Sequence, residues 1–388
     1  MIVRCGACPK LPALAGLMLT SITLTGAVAA PGPAAPAEEP AFRRVALAPR
    51  YEGLVKSVAW SPGGDELLFA DYRGHRLLRY GLDGKPRGEV GQLGGPTLEL
   101  GSPEELRWVD GTLWLLARSL DFKEVLVRLD ADLRPSDVLV LDDIPFGDGT
   151  VVHGLRGPAP YAGAIFAVAT GRSGRTEDLY AVAALHQSPP AKLDVFVPYH
   201  LGDADAAMHG NYRDVVAEAA GHVYALAHTR RSHVEELWPR PRVLQAFPDG
   251  YRGLPPPPSG LMGEAAALTF LSNLAATPVA VGVYGGARHV YVLTRKPADG
   301  GGTLWLLHRI EPLADRLEGT LELPTRAADL LVAPGPAFWA LVEKGPMKPG
   351  AVQSIASVVL VPSSLIEGTW PPKTGQVDPG SSATATVR

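Results

Sequence analysis

Thiols are almost missing from this chain: among its 388 residues the only cysteines are Cys5 and Cys8. That excludes a disulfide-stapled fold beyond the first ten positions, and with it any thiolate nucleophile or cysteine-ligated zinc in the body of the protein. Basic runs are missing too, and the formal charge is −4, so nothing marks a nucleic-acid-binding surface. Neither Gly-x-Ser-x-Gly nor His-Glu-x-x-His occurs, the spacings that mount a serine on a nucleophile elbow or a zinc ion on a helix. Past residue 30 no apolar run approaches the roughly 20 residues needed to cross a bilayer.

The first 30 residues are of a different kind. Arg4 and Lys10 precede an apolar stretch, Leu11 to Ala30, that ends in Ala27-Val28-Ala29. A basic head, an apolar middle and a small-x-small end make the layout of a secretory signal peptide, assigned here to residues 1–29. The competing reading, a retained anchor, is weakened by Pro12 and by the serines and threonines inside the stretch. Cys5-x-x-Cys8 would point to redox chemistry or zinc in a cytosolic chain, but it falls in the segment expected to be removed. Losing two basic residues and no acidic one takes the formal charge from −4 to −6. Residues 30–41 (APGPAAPAEEPA) read as an Ala/Pro-rich linker, and residues 371–388 as a disordered tail. Residues 42–370 remain as the folded part, of a periplasmic or secreted protein.

Within them the apolar residues come in short bursts without helical spacing. Leu67–Ala70, Trp114–Ala117, Phe166–Ala169, Tyr224–Ala227, Tyr291–Thr294 and Trp339–Val342 share one shape, and an aromatic opens five of the six. Each follows a Gly or Pro turn. Their last residues lie 47, 52, 58, 67 and 48 positions apart, a spacing that predicts a repeat array with its scatter absorbed by loops. Partner strands are expected at 76–80, 125–129, 179–182, 243–247, 304–307 and 358–361. Weaker strands precede each burst at 55–60, 105–108, 151–152, 215–216, 279–283 and 329–332, and fourth strands fit at 88–90, 138–141, 193–197 and 320–323. A small sheet with two apolar faces cannot bury both alone, whereas sheets packed radially cover one another. The expected fold is therefore all-β: a six-bladed β-propeller of four-stranded blades, closed by an N-terminal strand at Phe42–Leu47. The 67-residue interval holds Pro255–Pro258, read as a stiff surface spacer, and a helical composition from Leu261 to Ala275.

The stretch LLFADYRGHRLLRYGLDGKPRGEVG, from Leu67 to Gly91, resembles an NHL repeat. An Asp ends one strand, a His-Arg enters the next, and Asp-Gly-Lys makes the following turn. The other five units share only the pattern. The resemblance implies a six-bladed ring of a kind used by binding scaffolds, lyases and lactonases alike. The first unit is also similar to gluconolactonase-type propellers, which bind a divalent cation at the axis. That resemblance implies a carboxylate four residues before Trp60, where this chain has Lys56, and asparagines, of which it has only Asn211 and Asn273.

Polar residues at the ends of the expected strands supply the candidate ligand contacts: Lys56, Asp148, His153, His209 and Asn211. The cluster YHLGDADAAMHGNYRD (199–214) offers Asp203, Asp205, His209, Asn211 and Asp214, but as a calcium loop it has Met208 at the turn glycine and lacks the closing bidentate Glu. A solvated loop is the simpler reading, so no metal and no cofactor are predicted. Trp60, Trp108, Trp114, Trp305 and Trp339 lie within strands and are expected to pack between blades; a sugar platform would need several at one end of the ring. These features together predict a non-catalytic, monomeric binding or scaffold protein. It would engage a protein or small-molecule ligand through the loops that join an outer strand to the next inner strand. The alternatives are a lactonase-like hydrolase or lyase with an axial metal, and a polysaccharide-binding protein.

Overall fold

The computed structural model describes residues 42–91, 101–140, 144–199, 212–251, 269, 272–273, 276–346 and 352–370, apart from single residues and short stretches inside those ranges. It opens on β1 (Arg43–Gly53) and continues into a sheet of β2 (Val55–Trp60), β3 (Glu66–Asp71), β4 (Arg76–Gly81) and β5 (Pro86–Val90). The next sheet holds β6 (Ser102–Val109), β7 (Thr112–Arg118), β8 (Glu124–Leu129) and β9 (Pro135–Val140). A third holds β10 (Ile144–Pro145), β11 (Val151–Tyr161), β12 (Ala164–Arg172), β13 (Asp178–His186) and β14 (Lys192–Tyr199). Then come β15 (Tyr212–Ala219), β16 (His222–His228), β17 (Ser232–Trp238) and β18 (Arg242–Val243), followed by β19 (Val279–Gly285), β20 (Val290–Pro297), β21 (Thr303–Glu311) and β22 (Arg316–Glu322). The last strands are β23 (Asp329–Ala333), β24 (Phe338–Lys344) and β25 (Gln353–Pro362), with the short helix α1 (Ser363–Glu367) behind them.

Within each sheet, neighbours are antiparallel and follow chain order, with one exception: β1 lies on the outer side of β25, Arg43 opposite Leu360 and Gly53 opposite Gln353. The architecture is an all-β β-propeller with four-stranded blades. Five sheets have four strands; that of β10–β14 has a fifth, because Ile144 and Pro145 pair with Val152 and Val151 ahead of the inner strand. This corrects the uniform four-stranded pattern expected from the sequence.

The apolar bursts are strands because both their faces are covered. Leu67, Leu68, Phe69 and Ala70 of β3 are all buried, so alternation disappears and the strand reads as one apolar run. The core lies between sheets. One cluster joins Trp60, Phe69 and Tyr80 to Ala340, Val342 and Leu360 of the β23–β25 sheet, together with Val45 and Leu47 of β1. Others join β2–β4 to β6–β8, β15–β17 to β19–β21, and β20–β21 to β23–β25. Each fully buried side chain the size of Phe69 contributes about 2–3 kcal/mol of transfer free energy.

The strand tryptophans take the packing role, and the ring nitrogens of Trp60 and Trp108 are satisfied at the blade interfaces. Trp60 Nε1 donates to the Ala333 carbonyl at 3.0 Å, and Trp108 Nε1 to the Trp60 carbonyl at 2.9 Å, so indoles tie three successive inner strands together. Gly335 sits against the Trp60 ring, and a Cβ there would collide with it.

The first unit shows why its sequence is punctuated as it is. Ser61 accepts from the Glu66 N–H at 3.2 Å and donates to Asp65, closing the turn before β3. Asp71 ends β3 and accepts from the Gly74 N–H at 3.0 Å and from Arg76 Nε at 3.3 Å. In the last turn Asp83 accepts from the Lys85 N–H, and Gly84 takes φ +77° with the Ala46 carbonyl where a Cβ would stand.

One expected strand is displaced. In the fourth sheet the partner of β16 is Ser232–Trp238, not Val243–Phe247, of which only Val243 belongs to a strand, the two-residue β18. The charges of SHVEELW are paired within the sheet: Glu236 accepts from His222 Nδ1 at 2.6 Å and Arg242 Nε at 2.7 Å. Of the expected helix at 261–275, the described positions 269, 272 and 273 are helical. Helix α1 had no counterpart among the expectations.

Candidate functional site

Each inner strand starts at the same end of its sheet, where the outer strand before it arrives. At that end the ladder breaks in the same way five times. Register shifts fall between Val55 and Ser57, Pro103 and Glu105, Val152 and Gly154, Tyr212 and Asp214, and Ala280 and Gly282. Each is a bulge with one extra residue: Lys56, Glu104, His153, Arg213 and Val281. A bulge bends its strand and re-aims a side chain, and such bulges favour strand ends and sites. The sixth inner strand, β23, pairs without a bulge and begins at Asp329, opposite Lys344.

Two of the sequence candidates, Lys56 and His153, therefore occupy equivalent positions on the first and third inner strands. Lys56 Nζ stands 3.6 Å from Glu104, the extra residue of the next strand, and 3.8 Å from the centre of the Tyr72 ring. Arg118 reaches Glu104 at 3.8 Å and Glu124 at 3.6 Å, extending this rim of charge. Asp148, His209 and Asn211 lie outside the described residues, as does most of the 199–214 cluster. Among the described residues no three His, Cys, Asp or Glu side chains converge as metal ligands.

The same end of the β23–β25 sheet carries a cavity of about 430 Å³. Its wall comes from four places: Arg44 and Arg50 on β1, Pro324 to Ala328 between β22 and β23, Glu343 to Gly345 at the end of β24, and Ser354, Ala356 and Ser357 on β25. Glu343 is buried and well satisfied, by Thr325 Oγ1 at 2.6 Å and by Arg44 and Ser357. Lys344 is only 7% exposed and pairs with Asp329 at 3.0 Å, while Arg326 pairs with Glu322 at 2.6 Å. Arg50 donates to a neutral group, Ser354 Oγ, at 2.6 Å.

Behind Lys344 the charge is unevenly matched. Arg295, the last residue opposite the start of β19, is buried near Asp329, and its Nε has no hydrogen-bond partner. Burial lowers the Arg295 pKa, against the pull of the Asp329 charge. Burial alone would raise the Asp329 carboxyl; Lys344, with hydrogen bonds from Gln353 and the Leu330 N–H, outweighs it and holds the group below its usual value. Gln353 donates to Asp329 and to the Gly345 carbonyl, both at 3.3 Å, and its buried Oε1 has no partner.

The sequence candidates Lys56 and His153 lie at the same end of their sheets as this cavity, to which the sequence does not point directly. A signal was present: the second strands β7, β12 and β24 end on a basic residue, Arg118, Arg172 and Lys344, and β20 carries Arg295 two residues before its end, each opposite the start of its inner strand.

No protein-family model matches the sequence, and no curated protein does. Solved structures do resemble it. A member of the DUF4221 family from Bacteroides vulgatus shares 10% identity at a TM-score of 0.52, over 83% of this chain and 97% of that one. Streptogramin B lyase shares 10% at 0.40, over 82% and 97%. The calcium-binding protein regucalcin from Agrobacterium tumefaciens shares 10% at 0.40, over 82% and 92%. At such identities the likeness is one of fold, and the class it defines is the β-propeller.

Proposed function

We propose that this chain is an exported, non-catalytic binding protein. Its six sheets are the blades of one ring, closed by β1, and its ligand docks at the end where outer strands pass to inner ones. The observation that carries this reading is the recurrent bulge. Five inner strands place an extra residue at one level near that end, four of them charged or imidazole-bearing on successive strands: Lys56, Glu104, His153 and Arg213. A stability-driven ring has no need of that repetition, whereas a docking face uses it to present side chains. The bound partner is a protein or small molecule and the working unit a monomer; residues 1–29 are the export signal and 30–41 a tether.

Hydrogen exchange tests the docking face. Ligands from a screen of metabolites, glycans and peptides are expected to protect residues 48–57, 102–105 and 324–329. Protection confined to the opposite end, at 61–65 and 334–337, would overturn the assignment. Stoichiometric metal in the purified protein together with lactone turnover would replace it with the hydrolase reading.

A further inference from the structure

The cavity beside β23 has a charge pattern that the general docking role does not require. Its wall bears four cations, Arg44, Arg50, Arg326 and Lys344, and one carboxylate, Glu343. Glu343 is consumed by Arg44 and two hydroxyls. Arg326 leans outward to the exposed Glu322. Arg50 forms no ion pair among the described residues and holds its guanidinium on Ser354 Oγ. Glu52 sits opposite Ser354 in register but does not line the cavity. Beneath the wall, Lys344 and Arg295 share the single carboxylate of Asp329.

Buried positive charge in excess of its partners is costly, and it persists where something else supplies the negative charge. Two further atoms bear on this. Arg295 and Gln353 stand outside the cavity lining; they are 8% and 3% exposed, and each keeps a polar atom, Nε and Oε1, without a partner. The cavity is broadly open to solvent, and its volume is in the range that holds a small molecule. Pro324, Ala327, Ala328 and Ala356 give it an apolar side next to the cations. Arg50 offers a planar fork of donors suited to an oxyanion, with the Lys344 ammonium as a point charge nearby.

We propose that this cavity binds the oxyanion of a small organic acid or phosphate ester, with Arg50 and Lys344 as the anion contacts and the alanine side holding its carbon skeleton. The inference rests on the docking end described above and names the chemistry recognised there. The anion takes its place beside Ser354 and replaces solvent at Arg50. The surplus charge shared by Lys344 and Arg295 is then matched. The strand β1 brings Arg44 and Arg50 from the start of the ring to groups near its end, so the site forms only when β1 pairs with β25.

The test is titration calorimetry on the full exported chain with inorganic phosphate, citrate and neutral glucose, at ionic strength held constant with sodium chloride. One or both anions are expected to bind and glucose not to. Phosphate binding without citrate identifies a phosphate ligand, and the reverse a carboxylate. Arg50→Gln, at an exposed position, is expected to weaken binding about tenfold with the melting temperature unchanged, since one charge-assisted pair is worth about that much. Arg134→Gln, on an exposed turn of another blade, is expected to change nothing. Absence of binding by both anions, or equal affinity in wild type and Arg50→Gln, overturns the oxyanion site. The docking end itself falls only if ligands from the screen protect the opposite end, so the two failures are separable.

Discussion

Truncating Trp339 to alanine should be the most damaging single change at a blade interface. The side chain is 4% exposed, in the cluster between β20–β21 and β23–β25. It meets Tyr291 edge-on at 5.3 Å between ring centres and Tyr284 at 5.6 Å. Removing a buried tryptophan costs about 3–5 kcal/mol, cavity included, and each aromatic pair adds about 0.5–1.5. The surroundings are themselves sheet-bound and collapse little, so the expected loss is about 5 kcal/mol. With an unfolding entropy of about 2.1 cal/mol/K per residue over the folded part, that corresponds to a drop of roughly 7 °C in melting temperature. Urea denaturation followed by tryptophan fluorescence and far-ultraviolet dichroism measures it, with Leu313→Ala, at 59% exposure, as a control expected to stay near zero. A loss below about 1 kcal/mol, or one equal to that of the control, would mean that the sheets do not bury their faces on one another.

Other consequences are smaller. The folded-state pKa of Asp329 is depressed, so its contribution to stability is complete above the ordinary carboxylate value of 3.8 and is lost as pH falls through the lower folded value. Asp329→Asn should therefore be less stable than wild type at neutral pH, the two curves converging in acid; a gap that widens as pH falls would contradict the pairing with Lys344. Tyr224 is fully buried with its hydroxyl unpartnered among the described residues, and burial with the Glu236 charge pushes its pKa up. Tyr224→Phe is expected to be neutral or stabilising by up to about 1 kcal/mol in urea denaturation, and a loss above that would reveal a partner for the hydroxyl.

The four-stranded sheets were legible in the sequence because covered strands announce themselves. The six bursts are second strands, and all six expected inner strands fall within observed ones that begin at the expected residue or a few positions before it. What failed was the strand whose burial depends on charge pairing. SHVEELW looks like a solvated loop until Glu236 is seen between His222 and Arg242, and periodicity carries no trace of such cross-strand partners. The site was legible only in part. Lys56 and His153 stand out in the sequence as polar residues at strand starts, but their equivalence lies in the register of the bulges, which the sequence does not display. The cavity was hidden for a different reason: Arg50 and Ser354 meet across a pairing of the first strand with the last, and no local pattern encodes that distance along the chain.

The proposed docking end depends on that pairing, because β1 supplies Arg44 and Arg50 to the wall of the cavity. Val45 and Val358 stand opposite each other in the β1–β25 ladder. In the chain beginning at Ala30, which has no other thiol, Val45→Cys combined with Val358→Cys should form an intramolecular disulfide under mild oxidation, since ladder partners lie about 4.5–5.5 Å apart at Cα. Rapid and complete cross-linking, seen by mass and by faster migration on a non-reducing gel, is the outcome expected of a ring closed by its first strand. Two thiols that stay free in the folded protein, each still open to alkylation, would contradict it.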